Sequence, residues 1–592
     1  MDADTAILAE NLPDSDPPGR PESSTSLSAR ASRWRRRPST TAFLPLPATA
    51  LVVLGFVVPL LVVVLYSLRP TVAGQIADTF TLDNYVRFFT TDTYWQSMAA
   101  TMGFIALASA ITVALTFPLA YFVATKVSPR RRLLWVVVAT IPLFTSYLIR
   151  VLAWLNLLGN GGLLNAALMR WGIVDSPVGL FEPGKPAVVI TFAYLLFPLT
   201  FLTAFIALER VNAGLYEAAS DLGAARWRRF LHVTLPSCRN GLVGGFILAF
   251  VSMLGDYVTP QLIGGTAGTF YANLMTNQFG NSMQWGFGSA LALLLLVAIF
   301  ALLAILRLTA GASAPMGAYT ATYVKRRSPA LAAYAWSMMA FLYLPIVVLV
   351  SFAFNDSTTV GLPFQGFTTE WFTSLFTDSS LHDALIISLK VALSATGVSL
   401  VLGTAAAIYL SRAIGTWRNL SMATISTPLF LPPVIFGLAL IIGLNALDVD
   451  RGLWTIVMGH IIITLPIVTL VVMIRLEGVD RNLELAALDL GAKPVAVFLR
   501  VVLPQVAPGI LAAAMISVAT SMDEFIMTFL ITGSDTTLPL FIYSSLRFGL
   551  SPELTALSTL ILVASFVLIL VGVLTAVGRR GLQIRSKPVG AA

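Results

Sequence analysis

The chain has 592 residues, of which 57% are hydrophobic and only 11% charged, with a formal net charge of +8. A soluble domain carries roughly 25% charged residues, so a soluble enzyme, a secreted disulfide scaffold and a disordered chain are all excluded. Apolar runs such as Ala48 to Leu65 and Leu291 to Leu306 approach the ~20 residues that cross a bilayer. The basic residues stand between such runs, which points to orientation in a membrane rather than to nucleic acid. The single cysteine, Cys238, permits no intrachain disulfide, and His232, His382 and His460 are too scattered to suggest a metal site.

In chain order, residues 1–40 are rich in Pro, Ser and Asp and end in a cluster from Arg30 to Arg37, which predicts a disordered basic cytoplasmic tail. Phe43 to Leu68 follows as an uncleaved first span. Further apolar segments fall near 98–124, 134–158, 186–208, 240–259 and 286–307. A second set falls near 332–354, 384–410, 420–446, 455–474, 508–531 and 554–577. Lipid forces each to satisfy its own backbone, so twelve helical spans are expected, with both termini cytoplasmic. Prolines 118, 142, 198, 432, 433 and 466 are expected to kink them.

The positive-inside rule supports that frame. Of the 37 basic residues, only Arg69, Arg87, Arg150, Arg170, Lys185, Lys390, Arg451 and Arg547 fall outside the predicted cytoplasmic segments. Arg150 and Lys390 lie near span ends, from which long side chains snorkel to headgroups. His460 lies inside the tenth span without an acid nearby in sequence, as a packed or hydrogen-bonded histidine would.

The chain is also a tandem repeat. Glu217 to Pro236 reads EAASDLGAARWRRFLHVTLP and Leu485 to Pro504 reads LAALDLGAKPVAVFLRVVLP, with eleven of twenty positions identical at an offset of 268. Each copy falls between the fourth and fifth spans of a six-span half, which gives the halves one orientation, as in parallel-repeat transporters. The pattern predicts a short helix, a break at Gly223 or Gly491, a second amphipathic helix, and a proline leading into the next span. An exposed bent helix pair suits a partner's groove. An amphipathic loop resting on the lipid surface is the alternative, and the repeated Gly and Pro spacing argues against it.

These loops resemble the EAA motif of permease subunits of binding-protein-dependent ABC importers. The resemblance implies an all-α integral membrane protein of twelve transmembrane helices, built as two tandem six-helix type I ABC importer permease domains. The domains expected are a first at 41–307 with its loop at 209–239, a linker at 308–331, a second at 332–578 with its loop at 475–507, and a cytoplasmic tail at 579–592. It also implies that Glu217, Ala218, Ala219, Gly223, Ala224, Phe230 and Pro236 couple to an ATPase. In the second copy the corresponding set is Glu484, Ala486, Ala487, Gly491, Ala492, Phe498 and Pro504. Leu485 stands where the motif has Glu, so the second loop is expected to dock less polarly or through Glu484. No G-x-x-x-x-G-K-[ST] loop occurs in the sequence. ATP and Mg are therefore expected on two copies of a separate ATP-binding subunit, and cargo on an extracytoplasmic binding protein. The bilayer is the remaining partner, with no nucleic acid, metal or catalytic set in this chain. A bacterial cell membrane is the implied location.

The fifth spans carry acids beside aromatics, Asp256 with Tyr257 in the first half and Asp523, Glu524 and Phe525 in the second. Acids in a span are costly and face a watery path or the bundle interior, and with aromatics they suit an amine cation. They are expected near the outer mouth, with capping of the next segment as the plainer alternative. GDYVTPQLIGG, SMDEFIMTFLITG and FNDSTTVGLPFQGFTTEWF further resemble segments of spermidine/putrescine permeases, which makes a polyamine the expected cargo. Ferric iron, opine and phosphonate permeases share much of the pattern. A secondary transporter or a membrane enzyme is a more distant reading, because midplane ionisable groups and a convergent acid–base set are lacking.

Overall fold

The computed structural model describes residues 40–159, 162–280, 282–310, 328–546 and 551–567. Residues 1–39 of the expected tail, 311–327 of the linker, the end of the twelfth span from 568 and the C-terminal tail lie outside them. Nine unbroken helices among the described residues are long and apolar enough to cross a bilayer. They are Leu46–Ser67, Asp92–Lys126, Lys185–Glu209, Arg226–Leu254, Trp285–Leu306, Pro329–Phe352, Ser379–Leu410, Leu453–Glu477 and Pro494–Asp523. The twelfth expected span is described as far as Pro552–Val567.

The third span of each half departs from a single helix. Pro129–Leu143 and Tyr147–Leu157 meet at 84°, and Thr416–Phe430 and Pro433–Ala446 meet at 107°. Each break follows a 3₁₀ turn, Ile141–Phe144 or Thr427–Phe430, with proline at its second position. A proline lacks the N–H that continues a helix, and the residue before a proline is pushed to extended backbone. Leu431, which precedes Pro432, is extended at ψ 141, and Thr145, which precedes Ser146, is extended at ψ 138 without a proline after it. Pro118, Pro198 and Pro466 lie instead inside continuous helices.

The fifth spans also differ from expectation at both ends. They start earlier, because the second helix of each repeated loop runs on into the span through a π turn, Phe230–Thr234 or Phe498–Val502. Pro236 and Pro504 lie just beyond these turns. A widened turn relieves the clash between a proline ring and the carbonyl four residues back. They end earlier too, at Leu254 and Asp523, and Val258–Ile263 and Ile526–Ile531 are separate short helices.

In each half the second, fourth and fifth spans pack together as a central bundle. The first spans are exchanged. Leu46–Ser67 lies between Trp285–Leu306 of its own half and Pro433–Ala446 of the second half, with the Phe56 and Phe436 rings 5.4 Å apart. Pro329–Phe352 lies along Asp92–Lys126 and Tyr147–Leu157 of the first half. There Tyr334 and Tyr343 donate to the Leu115 and Val138 carbonyls at 2.6 and 2.7 Å. Trp135 meets Trp336 at 5.2 Å and Trp154 meets Phe341 at 5.5 Å. The offset of 268 holds from the fourth span, Lys185 to Leu453, through the short helices ending at Ile263 and Ile531. Upstream the offset is 286, from Ile141 to Thr427, so the first half carries about 18 extra residues between its third and fourth spans. The helix Leu163–Arg170 lies in that insertion.

Candidate functional site: the repeated loops and the junction of the halves

The two repeated loops fold alike. Asn212 and Asp480 cap the first helices by accepting the Gly214 and Asn482 amides at 2.9 Å each. The helices, Ala213–Asp221 and Arg481–Asp489, end in the same closure. Ala224 and Ala492 donate back to the carbonyls of Ala219 and Ala487, and Gly223 and Gly491 donate to those of Ser220 and Leu488. This closure needs a left-handed residue, and the glycines have φ of 73° and 84°. The motif spacing of alanine to glycine is thus the spacing of a helix end. Glu217, Ala218 and Pro236 are exposed, as are Ala486, Gly491 and Pro504. Phe230 packs inward on Phe117 and Tyr121 of the second span, at 5.9 and 6.0 Å, which anchors the first loop. Phe498 is half-buried.

The loops differ in what they present. Trp227 is 67% exposed among Arg226 and Arg228, whereas the second loop exposes Leu485, Leu488, Val495 and Leu499. Leu222 and Leu490 project equally at the two tips, 87% and 89% exposed. Glu484 does not replace the motif glutamate on the outer face. It is buried and paired with Arg412 at the end of the second half's second span. Its counterpart Tyr216 turns inward as well, its hydroxyl bonded to that of Thr234, and burial pushes it up to about 12. Arg132 and Glu209, 3.1 Å apart, tie the first half together just above its loop.

The acids of the fifth spans lie at the junction of the halves, Asp256 buried and Asp523 and Glu524 half-buried. Asp256 accepts the Val258 and Thr259 amides at 2.8 and 3.0 Å, the Thr259 hydroxyl at 2.6 Å and the Tyr147 hydroxyl at 2.7 Å. It caps the short helix after it, the plainer of the two expectations. Glu524 accepts the Met527 amide at 2.8 Å through one oxygen. Asp523 accepts the Tyr147 amide, so an acid of the second half caps a helix of the first. Around these carboxylates Tyr257, Phe525, Phe529 and Tyr543 form a ring cluster with centroids 4.8 to 6.1 Å apart. The Tyr257 hydroxyl is buried without a hydrogen-bond partner among the described residues.

One cationic candidate changes character, and the histidine is hydrogen-bonded as expected. Arg150 does not snorkel. It is 7% exposed inside the protein, with Nη1 on the Leu195 carbonyl at 3.1 Å, because the break turns its helix inward. His460 is hydrogen-bonded through both ring nitrogens, to Ser521 at 2.7 Å and Thr528 at 2.9 Å, and Lys390 is exposed. Tyr147, Thr259, Phe529, Tyr543 and Arg412 were not legible as site residues. The repeated Pro-Leu-Phe run at 142–144 and 428–430 marks the breaks and is the signal that leads to Tyr147.

Comparison with known proteins follows this geometry. The family described as binding-protein-dependent transport system inner membrane component matches residues 116–310 and again 399–581. The putrescine transport system permease protein PotI of Escherichia coli (strain K12) is 37% identical over 231 residues, 38% of this chain and 82% of that protein. The spermidine/putrescine transport system permease protein PotC of the same strain is 34% identical over 245 residues, 40% of this chain and 91% of its own length. PotB of Haemophilus influenzae is 32% identical over 213 residues, 36% of this chain and 73% of that protein. Each aligns with one half of this chain. The family places the protein in the bacterial inner membrane as a multi-pass permease and implies an ATPase and a solute-binding protein as partners. Carrying the family's domain twice in tandem, with the repeated loop in each copy, this chain belongs to the inner membrane components of binding-protein-dependent ABC transport systems.

Proposed function

We propose that this chain forms the translocation path of an ATP-dependent importer for polyamines, joining in one polypeptide two permease domains. The observation that carries the cargo class is the cluster of Asp256, Asp523 and Glu524 against Tyr257, Phe525, Phe529 and Tyr543 at the seam of the halves. A chain of ammonium groups separated by methylenes matches alternating carboxylates and ring faces. A phosphonate would meet three acids and be repelled. The names of the relatives agree with this reading.

In the proposed cycle, a binding protein delivers cargo to the outer mouth, and two ATP-binding subunits engage the loops at 209–239 and 475–507 from the cytoplasm. Both termini lie on that side. Closure of the ATPases drives the loops together, and because each loop's second helix is continuous with a fifth span, the push reaches the acids at the far end of the same rod. The first loop engages through Glu217, Trp227 and its arginines and the second through leucines and valine.

The test is reconstitution with the partner ATPase and binding protein, followed by uptake of labelled spermidine and putrescine. ATP-dependent uptake that each polyamine competes away is expected. Uptake without ATP that collapses with the proton gradient would establish a secondary transporter instead. Preference for ferric iron or an opine would overturn the cargo.

A further inference from the structure

The second segment of the first half's broken span opens with Tyr147, and both halves hold this residue. Its amide donates to Asp523, at the end of the second half's fifth span. Its hydroxyl donates to both oxygens of Asp256, at the end of its own half's fifth span, at 2.7 Å each. One residue therefore joins the two fifth-span ends to the break. At the pseudo-equivalent joint no polar contact is made among the described residues. Gly255 stands at the position of Asp523, and Pro433, which has no N–H, stands at the position of Tyr147. Gly255 lies so close to Pro432 that a Cβ would collide with its ring. Where the fifth spans meet the breaks, one contact is thus charged and the other apolar.

A peptide N–H is a neutral donor, and a cargo ammonium brings a full charge to the same acceptor. Both bonds are charge-assisted through the carboxylate, but the ammonium adds the attraction of a full opposite charge, which is stronger at a protein site than in bulk water. Asp523 adjoins Glu524 and Phe525 of the aromatic cluster, Arg150 and Glu524 act on it electrostatically, and Asp256 holds the other end of the same tyrosine. We infer that Asp523 is a positioning residue that holds the break of the first half's third span through the Tyr147 amide, and that a cargo ammonium displaces this amide, so that the halves part first at the charged joint. The apolar joint at Gly255 and Pro432 offers cargo nothing to compete for and acts as the pivot. This inference rests on the proposed cation cargo, while its readout lies in the permease alone.

The experiment is residue-resolved hydrogen exchange at the Tyr147 amide in the full chain in nanodiscs, with and without spermidine at matched ionic strength. Asp523→Ala removes the acceptor, and Asp523→Asn keeps an acceptor oxygen without the charge. The expected pattern is slow exchange in the wild type and in Asp523→Asn, and exchange about tenfold faster or more in Asp523→Ala. Spermidine is expected to speed exchange in the wild type and to leave Asp523→Asn unchanged. Equal exchange in the wild type and Asp523→Ala would overturn the joint, and a wild type insensitive to spermidine would overturn the displacement. Failure of the importer reading shows separately, as wild-type protein without ATP-dependent uptake.

Discussion

Asp256 and Glu524 occupy equivalent positions, yet their carboxylates have unequal freedom. Asp256 accepts bonds on both oxygens from two amides and two hydroxyls, whereas Glu524 accepts a single amide. Glu524→Gln should therefore cut spermidine uptake about tenfold or more, since a hydrogen bond to a charged group is worth roughly 1.5–3 kcal/mol, and leave ATPase co-purification intact. Equal loss with an uncharged solute would argue against charge recognition. His460 has a different use, latching the fourth span to Ser521 and Thr528. The first half has Phe192, Met253 and Pro260 at those positions, so the latch is one-sided. His460→Ala takes its partner from the buried Ser521 hydroxyl, while Thr528 keeps its bond to the Glu524 carbonyl, and opens a cavity, at a cost of about 2–4 kcal/mol, measurable as a lower midpoint of thermal unfolding in detergent.

At the scale of elements, the loop-to-span rods depend on their glycine hinges. Nothing stands within 4 Å of a Cβ built on Gly223 or Gly491, so a substitution there is opposed by backbone conformation alone. Gly491→Val should cost about 1–2 kcal/mol locally and reduce recovery of the ATPase on affinity purification, while Gly491→Asn, which tolerates the left-handed region, should retain it. Matching losses for both would show that the hinge conformation is not what matters. The second loop is held by Glu484 on Arg412. Arg412→Ala should raise hydrogen exchange across Arg481–Asp489 without altering the first loop, and an unchanged exchange profile would count against this tether.

For the whole molecule, the exchanged first spans make the halves mutually dependent. Leu46–Ser67 covers the second half and Pro329–Phe352 covers the first. A chain split within 311–327 and co-expressed as two pieces should reassemble, co-purify and transport. Deleting residues 1–68 from the first piece should abolish that recovery, because the second half's third span loses its cover along Phe436. Independent stability of each piece in detergent would contradict the exchange.

Composition, span order and the duplicated loop were determined by the sequence alone, because hydropathy and a helix-ending glycine are local properties that a one-dimensional pattern carries. The Schellman-type ends at Gly223 and Gly491 follow from that spacing. Only tertiary structure decided that the third spans break and turn inward, that Arg150 is enclosed, and that Glu484 faces Arg412. It also brought Asp523 to Tyr147, 376 residues away in the chain. These are contacts between elements far apart in sequence, where the partner that satisfies a polar group is chosen by packing, and no local pattern records which partner that is.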